Sequence, residues 1–171
     1  MPPISVCIIG KNEEQHIEHC LTPLAPFPFE IVYVDTGSTD RTKELAGKHG
    51  ARIYDFKWID DFSAARNFAL EKASHEYVLF IDCDEYLTSL DLETLLDGVE
   101  AHPQGVGLLL RNNYYEANGT RTNYPDRVER LFSKKRFHYK GIIHEQVVTR
   151  GTDSPLYESY EIPLTVDHAG Y

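Results

Sequence analysis

Short apolar runs and helical patterns alternate along the first half of the chain. The apolar runs predict strands over residues 4–9, 30–34, 51–54 and 77–81. Runs without strict alternation are typical of parallel strands that are buried on both faces. Periodic apolar positions predict helices over residues 13–21, 40–49, 63–73 and 90–99, the third of them capped by Ser63. This order indicates an α/β fold with a central, mostly parallel sheet and flanking helices.

The second half has a different pattern, with shorter segments and clear turn residues. Strands are predicted over residues 106–111, 128–132, 137–139 and 162–166. The dipeptide Asn118-Gly119 is typical of a two-residue hairpin turn. We therefore expect mixed or antiparallel structure in this part. Because no segment has the composition of a linker, we expect a single domain over residues 1–171.

Composition narrows the function classes. The formal net charge is −10, which argues against a nucleic-acid-binding surface because phosphate backbones require a cationic face. Cys7, Cys20 and Cys83 are too few and too widely spaced for a disulfide framework, so we expect a reducing cytoplasm and a buried, inert Cys7. We predict no transmembrane segment, since no apolar run is long enough, and peripheral membrane association stays open.

Polar and acidic residues directly follow three of the predicted strands. They are Lys11-Asn12-Glu13-Glu14, Asp35-Thr36-Gly37-Ser38 and Asp82-Cys83-Asp84-Glu85. Ligands of open α/β sheets bind beyond the carboxyl ends of the strands, so we expect these segments to converge on one crevice. Each segment by itself is also typical of a turn or a helix cap, and both interpretations stay open.

The third of these segments places three carboxylates within four residues. Asp82, Asp84 and Glu85 repel one another unless a cation or hydrogen-bond donors compensate them. Mg²⁺ or Mn²⁺, held by one or two carboxylates and by phosphate oxygens, would provide that compensation. A solvated acidic turn before the next helix is the alternative.

Two arginine positions can be interpreted in more than one way. Arg66 can contact a phosphate or a base carbonyl, or it can be a surface arginine paired with Asp60 or Asp61. The arginines within residues 126–130 fit a solvated strand edge. A lone histidine is usually a hydrogen-bonded structural residue, which is our expectation for most of the eight histidines.

Seven segments, taken together and in order, resemble those of a known family. They are residues 5–14, 31–40, 63–69, 79–85, 130–132, 141–145 and 168–171. The chain resembles the inverting family-two glycosyltransferases with the glycosyltransferase A fold. Within them it is most similar to bacterial transferases that add glucose or heptose to lipopolysaccharide cores, and to relatives with helical repeats. The likeness covers nearly the whole chain and is more specific than any single motif.

The resemblance implies a nucleotide-sugar site made by five residues. Asn12, Glu13 and Asp35 would line the nucleoside pocket, with Asp35 as the partner of the base. Arg66 would help to hold the nucleotide, and Asp82 would lie toward the ribose. A UDP-sugar is the expected donor because a carboxylate suits the N–H of uracil, while guanosine stays open.

The resemblance also implies the metal and catalytic residues. Asp84, in the Asp-x-Asp element, would bind Mg²⁺ or Mn²⁺, and His168 would complete the metal site. Glu145 would be the catalytic base, at a position where many family members carry aspartate. It would take a proton from the acceptor, which attacks the anomeric carbon in a single inverting displacement. Residues 1–104 would bind the donor, and residues 105–171 would form an acceptor and catalytic half that is shortened at its C-terminus.

Other functions remain as alternatives. A sugar nucleotidyltransferase normally has a glycine-rich, basic first loop, whereas Gly10-Lys11-Asn12-Glu13-Glu14 is acidic. A non-catalytic or partner-dependent nucleotide-sugar-binding module is suggested by the short chain, although Glu145 and His168 argue against it. The acceptor can be a saccharide, a lipid-linked molecule or a peptide. The patterns predict neither the sugar nor the oligomeric state.

Overall fold

The computed structural model describes residues 2–169 of the chain, in which strands and helices alternate at first and strands follow. The strands are β1 Ile4–Gly10, β2 Glu30–Asp35, β3 Arg52–Asp55, β4 Tyr77–Phe80, β5 Glu85–Leu90, β6 Val106–Ala117, β7 Thr120–Asn123, β8 Asp126–Ser133, β9 Phe137–Lys140, β10 Gln146–Thr149 and β11 Ser159–His168. The helices are α1 Ile17–Leu21, α2 Thr42–Lys48, α3 Phe62–Lys72 and α4 Leu92–Ala101, with a 3₁₀ turn at Thr22–Leu24.

One mixed sheet runs through both halves of the chain. Its strands lie in the order β3-β2-β1-β4-β8-β6-β11-β5, and β7 pairs with the far end of β6. Strands β1 to β4 are parallel, β8 is antiparallel to both of its neighbours, and β6 runs parallel to β11. Strand β6 therefore points in the same direction as β4. This arrangement confirms the predicted α/β fold with a mostly parallel centre.

The parallel strands are continuous in apolar character because helices cover both of their faces. In β1, Val6 and Ile8 belong to one buried cluster together with residues of α1, α2 and α4. Cys7, between them, belongs to a second cluster together with residues of α3. Alternate side chains thus enter two separate cores, as expected for a strand buried on both faces. Cys7 is fully buried, as predicted, and burial raises the pKa of its thiol to about 12.

The predicted hairpin turn is confirmed, and the strand that leads to it is longer than predicted. Asn118 and Gly119 have φ angles of +52° and +77°, the two consecutive positive values that a type I′ turn requires. Strand β6 continues past the predicted residue 111 to Ala117, and its last residues pair only with β7. The hairpin therefore extends beyond the main body of the sheet.

Several local predictions were wrong. Helix α3 is capped by Asp61, whose carboxylate accepts the Ala64 N–H at 3.1 Å, while Ser63 lies inside the helix. The acidic segment after β4 leads into strand β5, which was not predicted. Glu85, the first residue of β5, is fully buried, so it does not belong to a solvated turn. Strand β8 is not a solvated edge, since it lies between β4 and β6. Among residues 2–169, no helix has the length and apolar character that crossing a bilayer requires.

Candidate functional site

The loops that follow β1 and β2 are joined by side-chain hydrogen bonds. Asn12 Oδ1 accepts the Thr39 N–H at 2.8 Å, and the Asn12 N–H donates to Ser38 Oγ at 2.9 Å. Asn12 has a φ of +53°, a left-handed conformation that asparagine tolerates better than most residues. The neighbouring Glu13 lines a cleft, and burial raises the pKa of its carboxyl group. The structure therefore places Asn12 and Glu13 at the predicted sheet edge.

The carboxylate of Asp35 is buried and saturated by its own loop. Oδ1 accepts hydrogen bonds from the hydroxyls of Tyr33 and Ser38, at 3.0 and 2.6 Å. Oδ2 accepts the backbone N–H groups of Gly37 and Ser38, at 3.0 and 2.7 Å. These four bonds fill the acceptor capacity of a carboxylate. In this structure Asp35 shapes the loop, and its predicted contact with a base, which stays a prediction, requires one of these bonds to be exchanged.

Arg66 joins two acidic side chains from distant segments. Its Nε–H donates to Glu145 Oε1 at 2.9 Å, and its second amino group lies 3.3 Å from Asp82 Oδ1. The guanidinium also lies 5.4 and 5.3 Å from the ring centres of Phe80 and Tyr139. The alternative in which Arg66 is a surface residue paired with Asp60 or Asp61 is therefore wrong. Its predicted role toward the nucleotide stays a prediction.

Two further arginines, which sequence reasoning did not place in the site, compensate the acids. Arg130 of β8 contacts Glu85 at 2.6 and 3.0 Å and Asp82 at 3.4 Å. Arg111 of β6 contacts Glu85 at 3.3 Å and Asp126 at 2.7 Å. The Glu85 side chain is fully buried, so these partners are necessary for its charge. An arginine inside an otherwise apolar strand segment was the available signal for this pairing.

The arginines explain the ionisation of Asp82. Although burial raises the pKa of Asp82, Arg130 and Arg66 lower it to about 2. Asp82 and Glu85 are thus compensated by the protein itself. Asp84 is the member of the three-carboxylate segment that instead contacts a histidine.

Asp84 and His168 meet although 84 residues separate them along the chain. Asp84 Oδ2 lies 3.1 Å from His168 Nε2, and the Ala169 N–H donates to the Asp84 carbonyl at 2.8 Å. His168 is the last residue of β11, which pairs with β5 beside it. The last two residues of the predicted 168–171 segment, Gly170 and Tyr171, lie outside the described residues.

The hydrogen bonds of Asn113 decide how His168 presents its ring. Asn113 Nδ2 donates to Asp126 Oδ1 and to the Tyr124 carbonyl, at 2.9 and 3.0 Å. Its Oδ1 therefore faces His168 Nδ1 at 3.0 Å and accepts the proton on that nitrogen. If His168 Nε2 carries a second proton, it donates that proton to Asp84 in a hydrogen bond. If it carries none, its lone pair and the Asp84 carboxylate can bind one cation together. A fixed tautomer of this kind is typical of metal-binding histidines.

The chemistry of this pair fits a divalent cation that is completed by other ligands. A carboxylate and an imidazole are both ligands for Mn²⁺, and Mg²⁺ is commonly held by one or two carboxylates plus phosphates and water. Within residues 2–169, no cluster of three or more histidine, cysteine or acidic side chains has the geometry of a metal site. Asp84 and His168 would therefore need phosphate oxygens and water as further ligands.

Two clefts meet at Arg66 and Glu145. The larger cleft, beside the loops after β1 and β2, has a volume of about 620 Å³ and includes Gly10, Lys11, Glu13, Thr36, Trp58 and Asp84. The second cleft has a volume of about 410 Å³ and includes Arg111, Val128, Glu129, Gln146 and Tyr157. Both are lined by Arg66, Asp82, His144 and Glu145. Glu145 thus lies between the two clefts.

The loop that carries Glu145 is held in a defined conformation. Gly141 has a φ of +113°, which favours glycine, and His144 has a φ of +51°. The loop is tied to α3, because the Ser63 hydroxyl donates to the Gly141 carbonyl at 2.5 Å and the Phe62 N–H donates to the Ile142 carbonyl at 3.0 Å. The glycine before the acid therefore marks a constrained turn that positions the Glu145 carboxylate.

The family model described as Glycosyl transferase family 2 matches residues 5–152. The chain belongs to this family. The family predicted from the seven segments is therefore confirmed. The more detailed prediction of a lipopolysaccharide-core transferase stays a prediction.

Two curated relatives extend the comparison. The chain is 31% identical to the SPbeta prophage-derived glycosyltransferase SunS of Bacillus subtilis over 99% of its own length and 40% of that protein. It is 38% identical to a TPR repeat-containing protein of Synechococcus elongatus over 59% of its own length and 26% of that protein. The chain thus spans less than half the length of these relatives. The name of the second relative refers to TPR repeats, which agrees with the predicted similarity to relatives with helical repeats.

A solved structure supports the fold. The crystal structure of TarS from Staphylococcus aureus is 31% identical to the chain, with a TM-score of 0.55 over 69% of this chain and 22% of TarS. The fragment TarS 1-349 in complex with UDP-GlcNAc has a TM-score of 0.53 over 69% of this chain and 36% of that fragment. The predicted glycosyltransferase fold is therefore confirmed.

Proposed function

We propose that this protein transfers a sugar from a UDP-sugar to a hydroxyl-bearing acceptor, with inversion at the anomeric carbon. The carrying observation is that Glu145, Asp84 and the loops after β1 and β2 border one cleft. The complexes of TarS 1-349 with UDP and with UDP-GlcNAc support a uridine nucleotide as the donor. The buried thiols Cys7, Cys20 and Cys83 support a reducing compartment such as the cytoplasm.

The donor would lie along the sheet edge. Its nucleoside would contact Asn12, Glu13 and the Asp35 loop, and the aromatic side chain of Trp58 also lines this cleft. Its diphosphate would reach Asp84 and His168. A bound Mg²⁺ or Mn²⁺ ion at these two residues would offset the negative charge of the diphosphate.

Glu145 would act as the general base. Arg66 already occupies its Oε1, so the other carboxylate oxygen is the one that can accept the acceptor's hydroxyl proton. The oxygen of the acceptor forms the new bond to the anomeric carbon while the bond to the diphosphate breaks. This single displacement needs no enzyme nucleophile, which is in line with three buried cysteines.

Metal-dependent donor binding tests the first part of the proposal. Calorimetry with UDP should give an affinity at least tenfold higher with Mn²⁺ than without it. Asp84→Asn should remove this difference, whereas Asp97→Asn, on the exposed side of α4, should keep it. Equal affinity of the wild-type protein with and without Mn²⁺ would contradict the proposed metal site.

Turnover of Glu145→Gln tests the second part and separates the enzyme from a binding module. The variant should bind UDP as the wild type does, and its transfer rate should fall about 100-fold or more. The control is Glu161→Gln, whose side chain is 71% exposed on β11. Unchanged transfer by Glu145→Gln would remove this residue from the mechanism. Wild-type protein that binds UDP but turns over no UDP-sugar would favour the binding module.

A further inference from the structure

A third cavity lies beside His168. Its volume is about 460 Å³, and it is lined by Tyr114, Tyr115, Glu116, Arg121, His168 and Ala169. Four of these residues belong to the β6–β7 hairpin, and neither the cleft beside the loops after β1 and β2 nor the cleft behind Glu145 includes residues 114–121. The roles assigned above leave this cavity without a function.

The topology places this hairpin at the active edge of the sheet. Strand β6 points in the same direction as β4, so its carboxyl end lies at the edge where Asp82 and Asp84 follow β4. His168, the end of β11, pairs with Asn113 of β6. Residues after Asn113 therefore extend past the sheet, beside the Asp84–His168 pair.

One face of β6 connects the hairpin to the cleft behind Glu145. Arg111 lines that cleft, Asn113 contacts His168, and Tyr115 lines the third cavity. Residues two apart on a strand share a face, so these three side chains follow one another on the same side. Four residues of strand separate Arg111 from Tyr115 by about 13 Å. Asn113 between them is buried, so Arg111 and Tyr115 are the residues of this face that line the two cavities.

The side chains of the hairpin suit a sugar. Tyr115 and Tyr124 are 42% and 60% exposed, and their rings meet edge to face with centres 5.3 Å apart. On the opposite face of the hairpin, the Arg121 guanidinium lies 3.9 Å from the Tyr114 ring centre. A pyranose ring presents a face of C–H groups that packs on an aromatic ring, and hydroxyls that bond to carboxylate, guanidinium and phenol groups.

We propose that the β6–β7 hairpin is an acceptor subsite for a saccharide, in which Tyr115 and Tyr124 hold a sugar unit beyond the one that reacts. This inference rests on the proposed function and names its acceptor class. The proposed nucleoside position is separate from the hairpin, since β1 and β2 are separated from β6 by β4 and β8 in the sheet. A peptide would need deeper side-chain pockets than two exposed tyrosines supply.

Direct binding tests the subsite without turnover. The probes are maltotetraose and chitotetraose, followed by saturation-transfer NMR and calorimetry with the wild-type protein. At least one should bind in the millimolar range or tighter, and Tyr115→Ala/Tyr124→Ala should weaken it tenfold or more. Leu156→Ala, which removes an 84% exposed apolar side chain elsewhere, should leave sugar binding unchanged. The single Tyr124→Ala variant serves if the double variant does not fold.

A kinetic comparison distinguishes the subsite from the proposed function. In the double variant, UDP binding and hydrolysis of the donor by water should be unchanged, while KM for an oligosaccharide acceptor should rise tenfold or more. Wild-type protein that binds UDP but neither oligosaccharide would overturn the subsite alone, and failure to bind UDP would overturn the proposed function. If a serine-containing peptide binds and the tyrosine variant loses it while sugar binding is absent, the saccharide assignment is overturned.

Discussion

The two halves of the sheet carry their charges in opposite ways. Strands β1 and β4 are apolar along their length, and the acids come only after their last residues, as at Asp82. Strands β6 and β8 instead carry Arg111 and Arg130 inside the strand, where these side chains meet Glu85. Helices cover both faces of the parallel strands and leave room for charge only at their ends. Glu85 of the first half is therefore compensated by arginines of the second. Arg130 also shares Asp82 with Arg66.

Removing Arg130 should have the largest effect, because it breaks this compensation. Arg130→Met leaves the buried carboxylate of Glu85 short of a partner, which we expect to lower the free energy of unfolding by about 3–5 kcal/mol. The control is Arg127→Met on the same strand, where the side chain is 37% exposed and contacts the exposed Glu161 at 3.5 Å. The control should lose less than about 1 kcal/mol in urea unfolding. An equal loss of unfolding free energy in both variants would contradict the proposed role of Arg130 in compensating Glu85.

Arg66→Lys tests the contact between the two halves of the chain, where Arg66 meets Glu145. Lysine keeps the charge but cannot bridge Glu145 and Asp82 with a planar fork. We expect kcat for transfer to fall by as much as about 100-fold, because a small displacement of the base is costly. The affinity for UDP should change little. A loss of UDP affinity with kcat kept would instead support the predicted nucleotide contact of Arg66. Arg41→Lys, at an exposed surface pair, is the control.

The pH dependence of stability tests the link between Asp82 and its arginines. In the folded protein the pKa of Asp82 is about 2, below the ordinary value of 3.8. Ionised Asp82 therefore stabilises the folded protein above pH 3.8. That contribution is lost as the pH falls through 3.8 toward 2. In chemical unfolding at pH 6, 4, 3 and 2, the stability gap between wild type and Asp82→Asn should narrow over this window. A gap of constant size down to pH 2 would contradict the arginine pairing.

The smallest expected effect concerns the hairpin turn of the second half. Gly119→Ala places a side chain at a φ of +77°, which should lower the free energy of unfolding by about 1 kcal/mol. Gly47→Ala is the matched control, since Gly47 lies inside α2 and an added Cβ would meet an ordinary contact with Ile53 at 4.0 Å. It should be neutral or stabilising by up to about 1 kcal/mol. Thermal unfolding of both variants gives the comparison, and equal destabilisation would argue against the turn.

Local patterns were sufficient for features whose causes are local. The apolar runs of β1, β2 and β4 follow from burial on both faces, and the Asn118-Gly119 turn follows from two positive φ angles. The seven segments in order were enough for the family. Strand β5 was missed because the acidic residue at its start resembles a residue before a helix. Whether an acid is solvated or buried depends on what packs against it, which no short window contains.

The choice of partner for each charge came from the tertiary structure. Arg66 and Glu145 are 79 residues apart in the chain, and Arg130 and Glu85 are 45 apart. Their meeting depends on the insertion of β8 between β4 and β6 and on the register of those strands. The sequence contains the acids, the arginines and the segments that identify the family. Which acid neutralises which arginine is decided by strand order, because charges pair across space and not along the chain.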